Sequence, residues 1–246
     1  MVDRVHHQGG AGKVSTQGMR EWKTAAQTII GDTKELSQGR MIIYCRVTAG
    51  QTAIGTIYGT KPNQANHSNV VVAVTASIGA KQVTICAGAT AIVADDYQDG
   101  WLLVNDAVGE GYCYMIDRHA SAASGSGVTV YLKDGLEVAL TTASQVTLCY
   151  SRGHVIPIST LSGTVTAAPA GVNLCVCTAT QTTYQWMGMR GPWPARAGAT
   201  PVVAEDCYIS SAGVSELLTA STTFVRIGQF LTTAAATEHV MVNFQL

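Results

Sequence analysis

The chain has 246 residues, enough for one or two domains with a substantial buried core. Its 15 basic and 16 acidic side chains leave a net charge of -1, and only 13% of residues are charged, so composition gives no electrostatic attraction for nucleic acid or an acidic membrane surface. The hydrophobic fraction of 47% excludes a disordered chain, and the abundance of Ala, Val, Thr, Ser and Gly has the turn-rich, β-branched character of all-β folds.

Residues 1–31 differ from the rest: rich in Gly, Gln and His, with a basic tilt from Arg4, Lys13, Arg20 and Lys23. Met1–Gly12 has no apolar core of the kind a signal peptide carries, and the sequence reading places synthesis and assembly in a host cytoplasm. The spacing of Trp22, Ala26, Ile29 and Ile30 predicts a short helix over about Met19 to Ile30, although Thr24, Thr28 and the two Ile are poor helix formers. The segment reads either as a disordered tail or as an arm that orders against a neighbouring subunit. Trp22 favours the arm, because an isolated Trp in a free tail buries nothing. The stretch from Gly9 to Ser15 superficially suggests a phosphate loop, but Val14 follows Lys13 where Ser or Thr must hold magnesium, so it reads as a linker.

From Arg40 the pattern changes to short period-two runs. Met41–Val47 and Ala53–Tyr58 are predicted strands, and 59–69, with Pro62, Asn63, Asn66 and Asn69, a loop. The clearest unit follows, with six strand-like runs: Val70–Thr75, Gln82–Cys86, Trp101–Asn105, Tyr112–Asp117, Val128–Leu132 and Gln145–Tyr150. Turn chemistry such as Asp99-Gly100 and Asp134-Gly135 separates them, which argues for a sandwich or barrel rather than βαβ units. Further strands are expected at Val172–Thr178, Tyr184–Met189, Pro201–Ala204, Cys207–Ile209, Phe224–Phe230 and Val240–Phe244, with Gly191, Pro192, Trp193 and Pro194 as a stiff turn and Gly228 as a bulge or close approach. The organisation expected is an arm at 1–31, a β segment at 32–69 for which pairing with the C-terminal domain is one arrangement, a central β domain at 70–152 and a C-terminal β domain at 153–246. The class is all-β, as β-sandwich or barrel domains behind an extended N-terminal arm. No apolar stretch approaches the ~18 residues of a membrane-spanning helix.

Chemistry is sparse. The seven cysteines are scattered and mostly in apolar strand contexts, so they read as packed thiols; Cys175 and Cys177 are too close for a redox CxxC pair. Asp95, Asp96, Asp99, Asp106 and Glu110 are the one carboxylate cluster, but Tyr97 stands where a calcium loop needs a ligand, so turn capping is the better reading. The six His show no metal-binding spacing, and Ser124 lies in no nucleophile elbow. No catalytic residue, metal ligand or cofactor site is assigned, and no enzyme activity is expected. Trp186 and Trp193 are either core or an exposed platform for sugars.

Several runs carry a resemblance: Asp99 to Asp106, Gly109 to Ile116, Leu140 to Thr147, the earlier Gly31 to Leu36 with Gly39 and Arg40, the later Gln185 to Pro192, and Arg226 to Gly228 with Val242. Together they resemble tailed-phage capsid decoration (cement) proteins over about residues 31–246. That resemblance implies a non-enzymatic virion protein on the outer surface of an icosahedral head, a homotrimer or occasionally a dimer, bridging major capsid protein subunits without touching nucleic acid or membrane. On composition alone, Arg4, Lys13, Arg20 and Trp22 are the residues of the arm expected to meet the capsid. The competing readings are a tail- or vertex-associated receptor- or carbohydrate-binding module with Trp186 or Trp193 exposed, and a polysaccharide-active enzyme with paired carboxylates such as Asp96 and Glu110.

Overall fold

The computed structural model describes residues 17–48, 53–158, 167–198, 200–209, 217–218, 226–235 and 238–246. In chain order the strands are β1 (Trp22–Lys23), β2 (Thr33–Glu35), β3 (Met41–Val47), β4 (Ile57–Thr60), β5 (Val70–Val74), β6 (Gln82–Cys86), β7 (Trp101–Asp106), β8 (Cys113–His119) and β9 (Gly127–Leu132). They continue with β10 (Gln145–Cys149), β11 (His154–Pro157), β12 (Pro169–Asn173), β13 (Thr183–Arg196), β14 (Asp206–Ile209), β15 (Leu217–Leu218), β16 (Arg226–Phe230) and β17 (His239–Gln245). Two 3-10 turns, 37–39 and 65–67, are the helical elements among the described residues. The fold is all-β.

Two units divide the chain: residues 1–61 with 152–246, and residues 62–151. The second unit leaves the first after β4 and returns at β11, and these two strands pair antiparallel, Val155 opposite Thr60. A 90-residue excursion therefore starts and ends about one strand spacing apart, which lets an inserted domain sit there without straining its host.

The inserted unit is a closed antiparallel barrel in the order β10-β5-β6-β9-β8-β7. Its strands alternate, save at the β8 bulge around Asp117: Val70, Val72, Val83, Ile85, Leu102, Val104, Tyr114, Ile116, Val128, Val130, Leu132, Val146 and Leu148 point inward and form one buried cluster with Ile92, Tyr97, Leu136 and Leu140. Closure removes the exposed edges that few Lys or Pro are present to shield. Burying each large apolar side chain contributes about 1.5–3 kcal/mol, so the barrel core is the main source of stability here.

In the first unit, β13 pairs with β3 and β12, β12 with β4, β4 with β11, and β11 with β3 in parallel, a circuit of five strands. Odd residues of β3 (Ile43, Cys45, Val47) join Tyr58, Val155, Ala170, Met187 and Met189 in one cluster. The even residues Ile42 and Tyr44 join Trp186 and Val172 in a larger one. A register shift between Gly188 and Arg190 reverses the parity of β13, so that odd residues Trp193 and Ala195 now face that larger cluster.

Three expectations are corrected. Residues 191–194 are not a turn but the continuation of a 14-residue strand, paired with β17 from Arg190 to Arg196. The Arg196 N–H donates to Gly55 O on the side away from β17, so the even positions, including Pro192 and Pro194, have no amide owed to that ladder. Residues 201–204 form a turn with Ala204 at φ 70° rather than a strand. The helix expected over 19–30 does not form: Trp22 and Lys23 instead pair with Gln185 and Tyr184. The local helix propensity is too weak to compete with a sheet edge already in place. Gly228 behaves as expected, since a Cβ there would lie 2.2 Å from Asn243 O and the register of β14 shifts opposite it.

Candidate functional site

Arg4 and Lys13 lie outside the described residues. Arg20 is exposed on a turn, and Trp22 is half-buried in β1. The described part of the presumed arm is docked on its own unit: Gln17 Nε2 donates to Tyr184 O at 2.8 Å, Tyr44 Oη donates to Gln17 Oε1 at 2.9 Å, and Gln27 N donates to Tyr44 Oη at 3.0 Å. From Gln17 onward the segment belongs to the first domain, because these buried polar groups are satisfied only there.

Four members of the carboxylate cluster, Asp95, Asp96, Asp99 and Asp106, are individually engaged. Asp95 Oδ1 accepts from the His119 amide at 2.9 Å, Asp96 Oδ2 from Tyr150 Oη at 2.9 Å, and Asp106 Oδ1 from the Ala107 amide at 2.8 Å. Asp99 pairs with Lys133, and both Asp95 and Asp99 hold positive φ, a conformation that Asp tolerates in turns. Among the described residues no group of three or more His, Cys, Asp or Glu is arranged to hold a metal ion.

A buried polar chain supports these turns. His67 Nε2 donates to Thr90 O at 3.0 Å, which leaves Nδ1 to accept from Tyr97 Oη at 2.6 Å. His119 Nδ1 donates to Ala120 O at 3.0 Å, and its Nε2 accepts the Tyr97 amide at 3.0 Å. Burial pushes the Tyr97 phenol up to about 12, so it remains a hydrogen-bond donor at neutral pH. The chain reads as internal bracing, with every ring nitrogen used.

In the first unit, Gln185 Nε2 donates to Asn173 Oδ1 at 2.9 Å, and Asn173 Nδ2 donates to Ala53 O at 2.8 Å. Cys175 Sγ donates to Gln185 Oε1 at 3.1 Å, and burial pushes this thiol up to about 12 from 9.0. Burial raises Cys45 and Cys207 further still, and both are fully buried. Such groups stay neutral when folded but ionise near 9 when unfolded. Their stabilising contribution is therefore complete below pH 9 and is lost as pH rises from 9 towards the folded values. At pH 10 Cys45 and Cys207 together are expected to remove about 3 kcal/mol, at roughly 1.4 kcal/mol each per pH unit. Urea unfolding at pH 8 and pH 10 checks this: the Cys45→Ala/Cys207→Ala variant should lose markedly less stability across that interval, and an equal loss would refute the assignment.

The aromatic platform considered for sugars is closed. Trp186 is 1% exposed and Trp193 is 3% exposed. Lys34 Nζ sits 4.5 Å from the Trp186 ring centroid, and the Arg40 guanidinium 5.1 Å from that of Trp193. The Trp193 ring lies over Gly188, where a Cβ would come within 2.6 Å of Cδ2. Both tryptophans are core.

What the barrel leaves open is an uneven outer surface. Trp101 stands between Cys149 of β10 and Met115 of β8, and Leu103 stands between Thr147 and Cys113 in the next row. These outward positions form an apolar face across β10, β7 and β8, on which Trp101 is 41% exposed and Cys113 is exposed. The strands β6 and β9 are polar outside by contrast, with Thr84 Oγ1 and Thr129 Oγ1 3.1 Å apart and Gln82 opposite Tyr131. The sequence did contain a signal for this face: Trp101 to Val104 is apolar at both parities, as strands covered on two sides are.

No protein-family model, curated protein or solved structure matches this chain.

Proposed function

We propose that this chain is a structural virion protein, a decoration protein that self-associates and binds the outer surface of a phage head, where it reinforces contacts between major capsid protein subunits. The observation that carries the reading is the apolar face of Trp101, Leu103, Cys113 and Met115 on the outside of a closed barrel. An exposed Trp amid aliphatic and thiol groups is the chemistry of a protein–protein contact. The resemblance of 99–106, 109–116 and 140–147 to cement proteins falls on the same barrel. The buried state of Trp186 and Trp193 removes the feature that favoured a carbohydrate-binding module.

A homotrimer is the expected state. Light scattering on the purified chain should give about three times its 25.8 kDa mass. Trp101→Ser combined with Leu103→Ser should shift dissociation at least tenfold towards monomer, because hot-spot aromatics dominate such contacts. A monomeric wild-type chain at high concentration, or an unchanged mass in the variant, would sink the proposed role of this face. Copy number in purified virions tests the wider reading: staining comparable with the major shell protein supports it, and a dozen copies or fewer rejects it.

A further inference from the structure

Beyond the assembly role, the barrel carries a second, chemically different surface. A cleft of about 410 Å³ is lined by Lys81, Asp117, Arg118, Tyr131, Leu132 and Lys133. Three of the chain's 15 cationic side chains meet there, in a protein where such groups are scarce.

Each of the three cations has a polar partner. Lys133 Nζ pairs with Asp99, whose side chain is 9% exposed. Lys81 Nζ donates to Lys133 O at 2.9 Å. The Arg118 guanidinium lies 4.3 Å from the Tyr131 ring centroid, and its Nη1 donates to Asp117 Oδ2 at 2.8 Å. A β-bulge sets this arrangement up: β8 slips register between Ile116 and Arg118 against β9, so Asp117 is the extra residue and Arg118 is paired opposite Tyr131. Bulges of this kind re-aim side chains beside binding sites. Restraining a Lys or Arg side chain costs rotamer freedom, which free surface cations keep. Once pinned, they bind with less left to lose.

The charges define the ligand. Asp99 compensates Lys133 and Asp117 compensates Arg118, while among the described residues no carboxylate lies at ion-pair distance from Lys81. The cleft thus offers a net positive charge, an ammonium with spare donors and a guanidinium fork, a set suited to a tetrahedral oxyanion. Asp117 and the Tyr131 hydroxyl would accept from neighbouring hydroxyl groups. We propose that this cleft binds the phosphate monoester of a small phosphorylated sugar, with Lys81 and Arg118 on the phosphate and Asp117 on a sugar hydroxyl.

The test is phosphorus NMR line broadening of glucose 6-phosphate titrated with the full chain, a readout independent of assembly state. Broadening should saturate with submillimolar affinity, and Lys81→Gln and Arg118→Gln should each weaken binding at least tenfold with unchanged circular dichroism. Asp117→Asn should retain inorganic phosphate binding while reducing the preference for the sugar ester. The inference is overturned by absent broadening, by variants that bind as the wild type does, or by inorganic phosphate binding as tightly as the ester. Loss of trimerisation in the Trp101 and Leu103 variant with intact broadening would support both readings, since Trp101 and Leu103 lie on β7, which contributes no residue to the cleft.

Discussion

Replacing Trp186 with alanine is expected to destabilise the first unit by about 3–5 kcal/mol, the range for deleting a buried Trp or Phe. The residue is 1% exposed and sits on the larger cluster of that unit. Its ring meets Tyr44 edge-on, with centroids 5.0 Å apart at 60°, and lies under the Lys34 ammonium. Deletion removes the buried area and the aromatic pair together, and leaves a cavity between β3 and β13, where Trp186 is opposite Tyr44. Tyr44 also anchors the 17–31 segment through Gln17 and Gln27, so loosening it should release that segment. Hydrogen exchange followed by mass spectrometry in increasing urea separates the outcomes. Peptides from 17–47 and 183–196 should exchange at lower urea in Trp186→Ala, while those from 70–150 keep their wild-type midpoint. Trp186→Phe should recover more than half of the loss; uniform weakening of both units would contradict this account.

Gly88→Ala should damage the barrel comparably, by about 3 kcal/mol or more, through overlap rather than a cavity. A Cβ at Gly88 would lie 1.7 Å from Asn66 O, a backbone atom that no rotamer change can move. Asn66 belongs to the 3-10 turn whose Asn66 Nδ2 donates to Thr90 Oγ1 at 2.8 Å and whose His67 donates to Thr90 O. Gly88 O in turn accepts the Gly125 amide at 3.0 Å. Relieving the overlap therefore displaces the turn and strips His67 and Tyr97 of their buried partners. Gly127→Ala is the control, because its Cβ would meet only Thr84 Cγ2 at 3.9 Å and the strand conformation suits alanine. The same exchange experiment should show early loss of protection in 65–97 for Gly88→Ala and none for Gly127→Ala.

The barrel was legible because its six strands follow period two over most of their length, and turn residues such as Asp99 and Gly100 separate them. Its order was not. β6 pairs with β9 and β7 with β10, pairings that join runs with 40 (87–126) and 38 (107–144) residues between them and nothing local to specify them. The 191–194 stretch was misread for a related reason: two prolines look like a turn until a neighbouring strand shows which amides are needed. The Trp101 face was present in the pattern as apolar residues at both parities. The Lys81, Arg118 and Lys133 cleft was not, since its members come from β8, the residue before β6 and the residue after β9, and depend on a bulge at Asp117 that no alternation rule places.

Sequence by itself determined that this protein is all-β, weakly charged and built with one self-contained middle unit, since composition and side-chain periodicity are local properties. Only the tertiary structure decided that the middle unit closes into a barrel inserted between the paired strands β4 and β11, that residues 17–31 dock on their own domain, and that Trp186 and Trp193 are core. The reason is common to all three. Pairing partners, burial and the satisfaction of polar groups depend on residues distant in the chain, and a short segment such as 19–30 follows whichever distant strand offers its backbone a ladder.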